Sequence, residues 1–166
     1  MATRAQILRK EQTLSSLKET RQNILAEASK LSKRQWDQVF LGSWSIKDLV
    51  AHLIGWDDTN LEAIQNVLAG KLPAFYEYRD PDWRTYNAML VKKHKVNSSK
   101  EILTKAKDSQ EKLIQFLQTV PPEQFNKDFG VRFRGYKVTI QRLLEAERGD
   151  EQTHLQQIMD FVKEAK

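Results

Sequence analysis

The stretch from Gly42 to Gly70, GSWSIKDLVAHLIGWDDTNLEAIQNVLAG, constrains the fold more than any other part of the chain. Ser45 is placed as an N-cap and Asp48 as the acidic partner of a capping box, three residues on. Trp44 and Leu49 flank that cap as a hydrophobic staple, and Gly70, followed by Pro73, closes the far end. Leu49, Leu53, Leu61, Ile64 and Leu68 recur at helical spacing and form one apolar stripe. A long helix with a single apolar stripe has to bury it against other helices. His52 sits at the edge of the stripe, one turn before Trp56. Two readings of it are open: a half-buried core imidazole bonded to a neighbour, or a metal ligand.

The rest of the chain supplies partners for that helix. Residues from about Thr3 to Ser29 read as a first long helix with Ile7, Leu14, Leu17, Ile24 and Ala28 on one face. Ser32 and Gln35 suit a capped short turn carrying Trp36. Beyond Gly70, KLPAFYEYRDPDW gathers Phe75, Tyr76, Tyr78 and Trp83 in an irregular crossover, which either walls a ligand pocket or anchors itself to the bundle. Asp80 and Pro81 open a short helix to about Lys95. Ser98 or Ser99 caps a third long helix to about Thr119, ended by Pro121 and Pro122. Phe125, Phe129, Val131 and Phe133, with Gly130 and Gly135, suggest a compact loop or short hairpin before a last long helix, Val138 to about Glu164. Leu49, Val50, Gly55, Leu61 and Ile64 match Leu143, Leu144, Gly149, Leu155 and Ile158 at a constant offset, an echo expected of two helix–linker–helix halves. The expectation is one all-α domain over residues 1–166: a four-helix bundle with an aromatic-rich crossover and a short extra helix between its second and third long helices.

Composition removes several chemistries. There is no cysteine, so thiolate nucleophiles and disulfides are excluded and any metal must be held by His, Asp or Glu. The N-terminus does not resemble a signal peptide and no apolar run approaches a membrane span, so a cytoplasmic protein without a membrane partner is expected. Net charge is only +5, with Lys92, Lys93 and Lys95 in one basic neighbourhood and Arg132, Arg134 and Lys137 in another. No nucleic-acid motif accompanies them, so no nucleic-acid partner is expected. His94, within KKHK, reads as a surface residue. No glycine-rich phosphate loop and no GxSxG are present.

The last helix holds the anomaly. Leu143, Glu147, Asp150, His154, Ile158 and Phe161 share one face, apolar at its ends and ionisable in its middle. Burying such groups is costly unless they are paired or hold a metal. His52, Asp150 and His154 give two imidazoles and a carboxylate with coordination positions left open, and Glu147 stands nearby as a fourth ligand or general base. The competing readings are a face turned to solvent and a salt-bridge network with Arg142 and Arg148.

Trp44, Ser45, Asp48, His52, Leu53 and Trp56, followed by Asp150, His154, Leu155 and Ile158, resemble the motifs of the DinB-like (YfiT-type) superfamily. That resemblance implies an up-down-down-up bundle and a metal site with its first ligand at His52 and its last at His154. The middle ligand falls on Asp150, where the family usually has His. It further implies frequent homodimers and chemistry on small electrophilic molecules, by thiol transfer or by hydrolysis. The crossover DPDWRTYNAML, with Asp82, Trp83 and Asn87, resembles the ClbS/DfsB branch. The expected cofactor is a divalent metal, nickel or zinc first and iron or manganese next, with a low-molecular-weight thiol as a second candidate. Trp56, Trp83 and Asn87 are the expected binding residues around it. A metal-free sequestration bundle and a bundle serving association alone are the alternatives.

Overall fold

The computed structural model describes residues 1–165. Its long helices begin where the sequence supplies caps. The Thr3 side chain accepts from the Gln6 N–H at the start of α1 (Arg4–Ser29), and Ser32 does the same for α2 (Lys33–Asp37). Ser45 opens α3 (Ile46–Leu68), where Asp48 Oδ2 returns a bond to the Ser45 N–H at 2.9 Å. Such a reciprocal cap contributes about 1 kcal/mol and fixes where the chain enters the helix. After the turn at Gly70, φ +71°, the crossover makes two short 3₁₀ turns, Ala74–Glu77 and Pro81–Trp83, before α4 (Arg84–His94). Ser98 caps α5 (Ser99–Thr119), and Thr139 caps α6 (Ile140–Glu164). Between those two helices, β1 (Arg132–Phe133) pairs with β2 (Tyr136–Lys137) across a turn in which Arg134 and Gly135 both have positive φ. Two positive-φ residues match the twist of a tight hairpin, and Gly135 adopts that conformation without a side-chain penalty.

The fold is all-α apart from that hairpin. α1 packs on α6 and α5, while α3 packs on α5, α6 and α4. Thr13 meets Gln141 and Arg21 meets Glu151, so α1 and α6 run side by side in one direction. Lys10 reaches the Val120 carbonyl and Arg21 that of Ala106, so α5 runs the opposite way to α1. The apolar interior divides into two clusters. One joins Leu14, Leu17, Ile64, Leu113, Leu117 and Leu144, and the other joins Ile24, Leu49, Leu53, Ile102, Ile158 and Phe161. Each fully buried Leu or Ile contributes about 1.5–3 kcal/mol. Between the clusters lies a polar layer of Arg21, Asp57, Asn60, Glu147 and Glu151, all buried.

Three expectations change. Ile7, placed on the buried face of α1, is exposed, because the inward face at that end runs through Gln6, Lys10 and Thr13 and Ile7 lies beside it. The helix expected from Pro81 begins as α-helix only at Arg84, since Asp82 and Trp83 take left-handed conformations, φ 56° and 48°. Asp80 still acts as a cap, its Oδ2 accepting from the Thr85 N–H at 2.7 Å. His94 is partly buried rather than on the surface, with Nε2 3.7 Å from Asp58 Oδ2, and burial lowers its pKa. Among the described residues no helix is long and apolar enough to cross a membrane.

Candidate metal centre

α3 and α6 pack directly, and the side chains that interrupt their apolar stripes meet. The rings of His52 and His154 lie 5.2 Å apart, centroid to centroid. Asp150 stands between them. Its Oδ2 is 3.1 Å from His52 Nε2 and 3.3 Å from His154 Nε2. Both imidazoles are buried, whereas the Asp150 side chain is 47% exposed and marks the open side. The ring of His52 is held against Trp44, 4.9 Å away, and His154 Nδ1 is 2.7 Å from Gln157 Oε1. With Nδ1–H donating to Gln157, His154 turns Nε2 toward Asp150, the outer-sphere arrangement that orients a ligating imidazole.

The electrostatics of the three groups differ. Burial holds the His52 imidazole below its ordinary pKa, although Asp150 opposes it. Burial acts on His154 too, but its bonds to Asp150 and Gln157 outweigh it and raise that pKa. Burial alone would raise Asp150, yet the two histidines hold its carboxyl well below the usual range. The set fits a divalent cation. The three donor atoms lie within 4.8 Å of one another, and bonds of about 2.1 Å to one centre place neighbouring donors roughly 3.0–3.4 Å apart.

A cavity of about 300 Å³ opens beside the triad. His52, Trp56, Phe75, Trp83, Glu147 and Asp150 are among its walls. The crossover supplies the aromatic side as a bonded unit. The Trp56 indole N–H donates to Asn87 Oδ1 at 2.7 Å, Asn87 Nδ2 to the Asp82 carbonyl at 3.0 Å, and the Trp83 indole N–H to the Phe75 carbonyl at 3.1 Å. Trp56, Trp83 and Asn87 are thus brought to the same cavity as His52 and Asp150.

Glu147 lies deeper than the triad and belongs to the polar layer. Asn60 Nδ2 donates to its Oε2 at 2.9 Å, while Oε1 is buried without a partner. Burial first, then the nearby Glu151 and Asp57 carboxyls, raise its pKa well above the ordinary value and so favour its protonated form. Its charged neighbours share Arg21, a residue that periodicity did not single out. Arg21 Nη1 donates to Asp57 Oδ2 at 2.8 Å and to the Ala106 carbonyl at 2.7 Å, and Nε donates to Glu151 Oε1 at 2.7 Å. Ser109 adds a bond to Asp57 Oδ2. The ion network expected with Arg142 and Arg148 is instead built on Arg21. Arg142 lies over the Tyr136 ring, 3.9 Å from its centroid.

A helical bundle with two imidazoles and a carboxylate converging at the mouth of an aromatic-walled cavity defines the class. The chain belongs to the DinB superfamily, whose family model matches residues 16–158. Among solved structures it is similar to the colibactin self-resistance protein ClbS in complex with a double-stranded DNA, with TM-score 0.75 and 14% identity, covering 92% of this chain and 94% of that one. No curated protein sequence matches significantly. The complex with DNA overturns the expectation that nucleic acid is excluded as a partner. That expectation rested on a missing reading motif, but contacts to the phosphate backbone require only suitably placed donors and cations.

Proposed function

We propose that this protein binds a divalent metal through His52, Asp150 and His154 and acts on a small electrophilic molecule held in the adjoining cavity, by thiol transfer or hydrolysis. The observation that carries this reading is the convergence of two buried imidazole nitrogens on one Asp150 oxygen at 3.1 and 3.3 Å. Bound there, a divalent ion supplies Lewis acidity and lowers the pKa of a coordinated water or thiol. Imidazole suits nickel and zinc, and the single carboxylate also admits iron or manganese. Around it, Trp56, Phe75 and Trp83 exclude water from a bound molecule, and Asn87 fixes the Trp56 ring. Glu147, whose protonated form burial favours and whose carboxyl Asn60 orients, serves as a proton donor rather than as the base or fourth ligand that its spacing suggested. The reading takes residues 1–166 as one domain working in the cytoplasm.

Elemental analysis of wild type and His52→Ala, both purified without chelator or metal-affinity resin, tests it. About one divalent ion per wild-type chain, lost in the variant, is expected. Wild-type protein that carries no metal and takes up none on titration would sink the proposal. A second reading, docking on double-stranded DNA, draws on the net charge of +5 and on the DNA complex of the ClbS neighbour. A titration with duplex DNA at two salt concentrations checks it, because phosphate contacts weaken steeply with salt. No binding at the lower concentration removes that reading.

A further inference from the structure

Each capped helix here carries a characteristic residue at its third position. Gln6, Gln35, Asp48 and Glu101 stand there in α1, α2, α3 and α5, where an acid or amide complements the positive end of the helix dipole. In α6 that position is Arg142, a cation set against the dipole, and the first turn holds no acid to offset it. Nor does Arg142 obtain a partner elsewhere. Among the described residues its guanidinium meets no carboxylate; the exposed side chain lies over Tyr136, 3.9 Å from the ring centroid. Stacking fixes the plane of the group and leaves its edge donors free. Arg142 and Tyr136 both line the cavity. A cation that breaks this local rule on the wall of a cavity, with no carboxylate to balance it, is economically explained by a ligand.

We propose that Arg142 is the anion-recognising group of this cavity, and that the ligand is a flat, π-rich small molecule carrying a carboxylate at the end remote from the His52–Asp150–His154 triad. Arg142 and Asp150 are eight residues apart on α6, about 12 Å at about 1.5 Å per residue, so the two polar ends are separated by the length of a two-ring molecule. Leu143 and Ala146 lie on the wall between them, facing a cavity whose other side is Trp56, Phe75 and Trp83. Such walls bind planar rings by burial and stacking, and a planar carboxylate matches the guanidinium fork. The inference deepens the proposed function by naming a ligand class for the same cavity, but the Arg142 contact does not depend on a metal.

Calorimetric titration with naphthoate, its amide and naphthylmethylammonium tests this, on protein as purified and after treatment with EDTA. Naphthoate is expected to bind at least about tenfold tighter than the amide in both preparations, as a charge-assisted bond requires. Arg142→Gln should abolish that preference, and Arg142→Lys should keep part of it. Equal affinities in the wild type, no binding of any probe, preference for the ammonium, or a preference that survives in Arg142→Gln would each overturn the inference. Metal content measured on the same samples separates the two proposals. Protein that carries no metal as purified, takes up none on titration and still prefers naphthoate through Arg142 refutes the metal centre and supports the anion site.

Discussion

Replacing Arg21 by Met would leave two carboxylates, Asp57 and Glu151, facing each other in the bundle interior without a cation. Arg21 is only 2% exposed and bonds both carboxylates and the Ala106 carbonyl, and its two partners are buried away from bulk solvent. Removing one side of a buried ion pair costs about 3–5 kcal/mol, a large share of the roughly 5–15 kcal/mol that holds a domain of this size folded. At about 2–4 °C per kcal/mol, the melting temperature should fall by roughly 6–20 °C at neutral pH. The loss should depend on pH with a definite sign. Burial already raises the Glu151 carboxyl to about 7, and without Arg21 it is pushed further up, so the folded state holds a proton that the unfolded state releases. The deficit is therefore small near pH 5 and grows as pH rises. Thermal melts of the wild type and Arg21→Met between pH 5 and 8 measure both effects. Adding Asp57→Asn and Glu151→Gln to Arg21→Met should return much of the stability at neutral pH, since the repulsion is then gone. A single variant within 2 °C of wild type at pH 7 on the scale of those melts would refute the view that Arg21 balances this layer.

Asp150→His should strengthen zinc or nickel binding in a metal titration. Asp150→Ala should weaken it while costing only about 0–1 kcal/mol of stability, because the side chain is half exposed. Glu147→Gln should flatten the pH dependence of stability. The raised pKa of Glu147 makes a contribution that is full below about pH 4.3 and is lost as pH rises through the folded value, so chemical denaturation should show the slope changing by up to about 1.4 kcal/mol per pH unit. Gly55→Ala would place a Cβ 2.6 Å from Leu90 Cβ and force α4 away from α3, costing about 1–3 kcal/mol in the same assay. Gly149→Ala meets nothing within 4 Å and should stabilise by up to about 1 kcal/mol.

The helix starts were legible in the sequence because caps are local. Ser32 with Gln35, and Ser45 with Asp48, form the bonds that their spacing dictates. The meeting of His52 and His154 was legible for another reason: each breaks an apolar stripe, and two such breaks bury best against each other. Arg21 was missed although it stands in register between Leu17 and Ile24 on the buried face of α1. A lone Arg there reads as a side chain that reaches out to solvent, and only the packed helices bring Asp57 and Glu151 to it. One signal was present. Asp57 and Glu151 stand at the same offset that relates Leu49 to Leu143, so the two halves of the chain place an acid at equivalent positions. The left-handed Trp83 had no signal, since a bulky aromatic rarely adopts that conformation, and Asp82 gave only the weak one that Asp tolerates it better than most residues. Their geometry is held by bonds to neighbouring parts of the crossover and α4, from Asn87 to the Asp82 carbonyl and from the Trp83 indole to the Phe75 carbonyl.

Arg21 sits on α1, Asp57 on α3, Ala106 and Ser109 on α5, and Glu151 on α6, so one guanidinium joins all four long helices at a single level. The bundle therefore lacks a cheap partial opening. Peeling away α1 strands two carboxylates, and lifting α3 or α6 strands part of the cation, each at a penalty close to that of unfolding the whole. Amide protons near Asp57 and Glu151 should exchange with solvent only in global unfolding events, and His52 and His154, a turn or so along the same helices, inherit that rigidity.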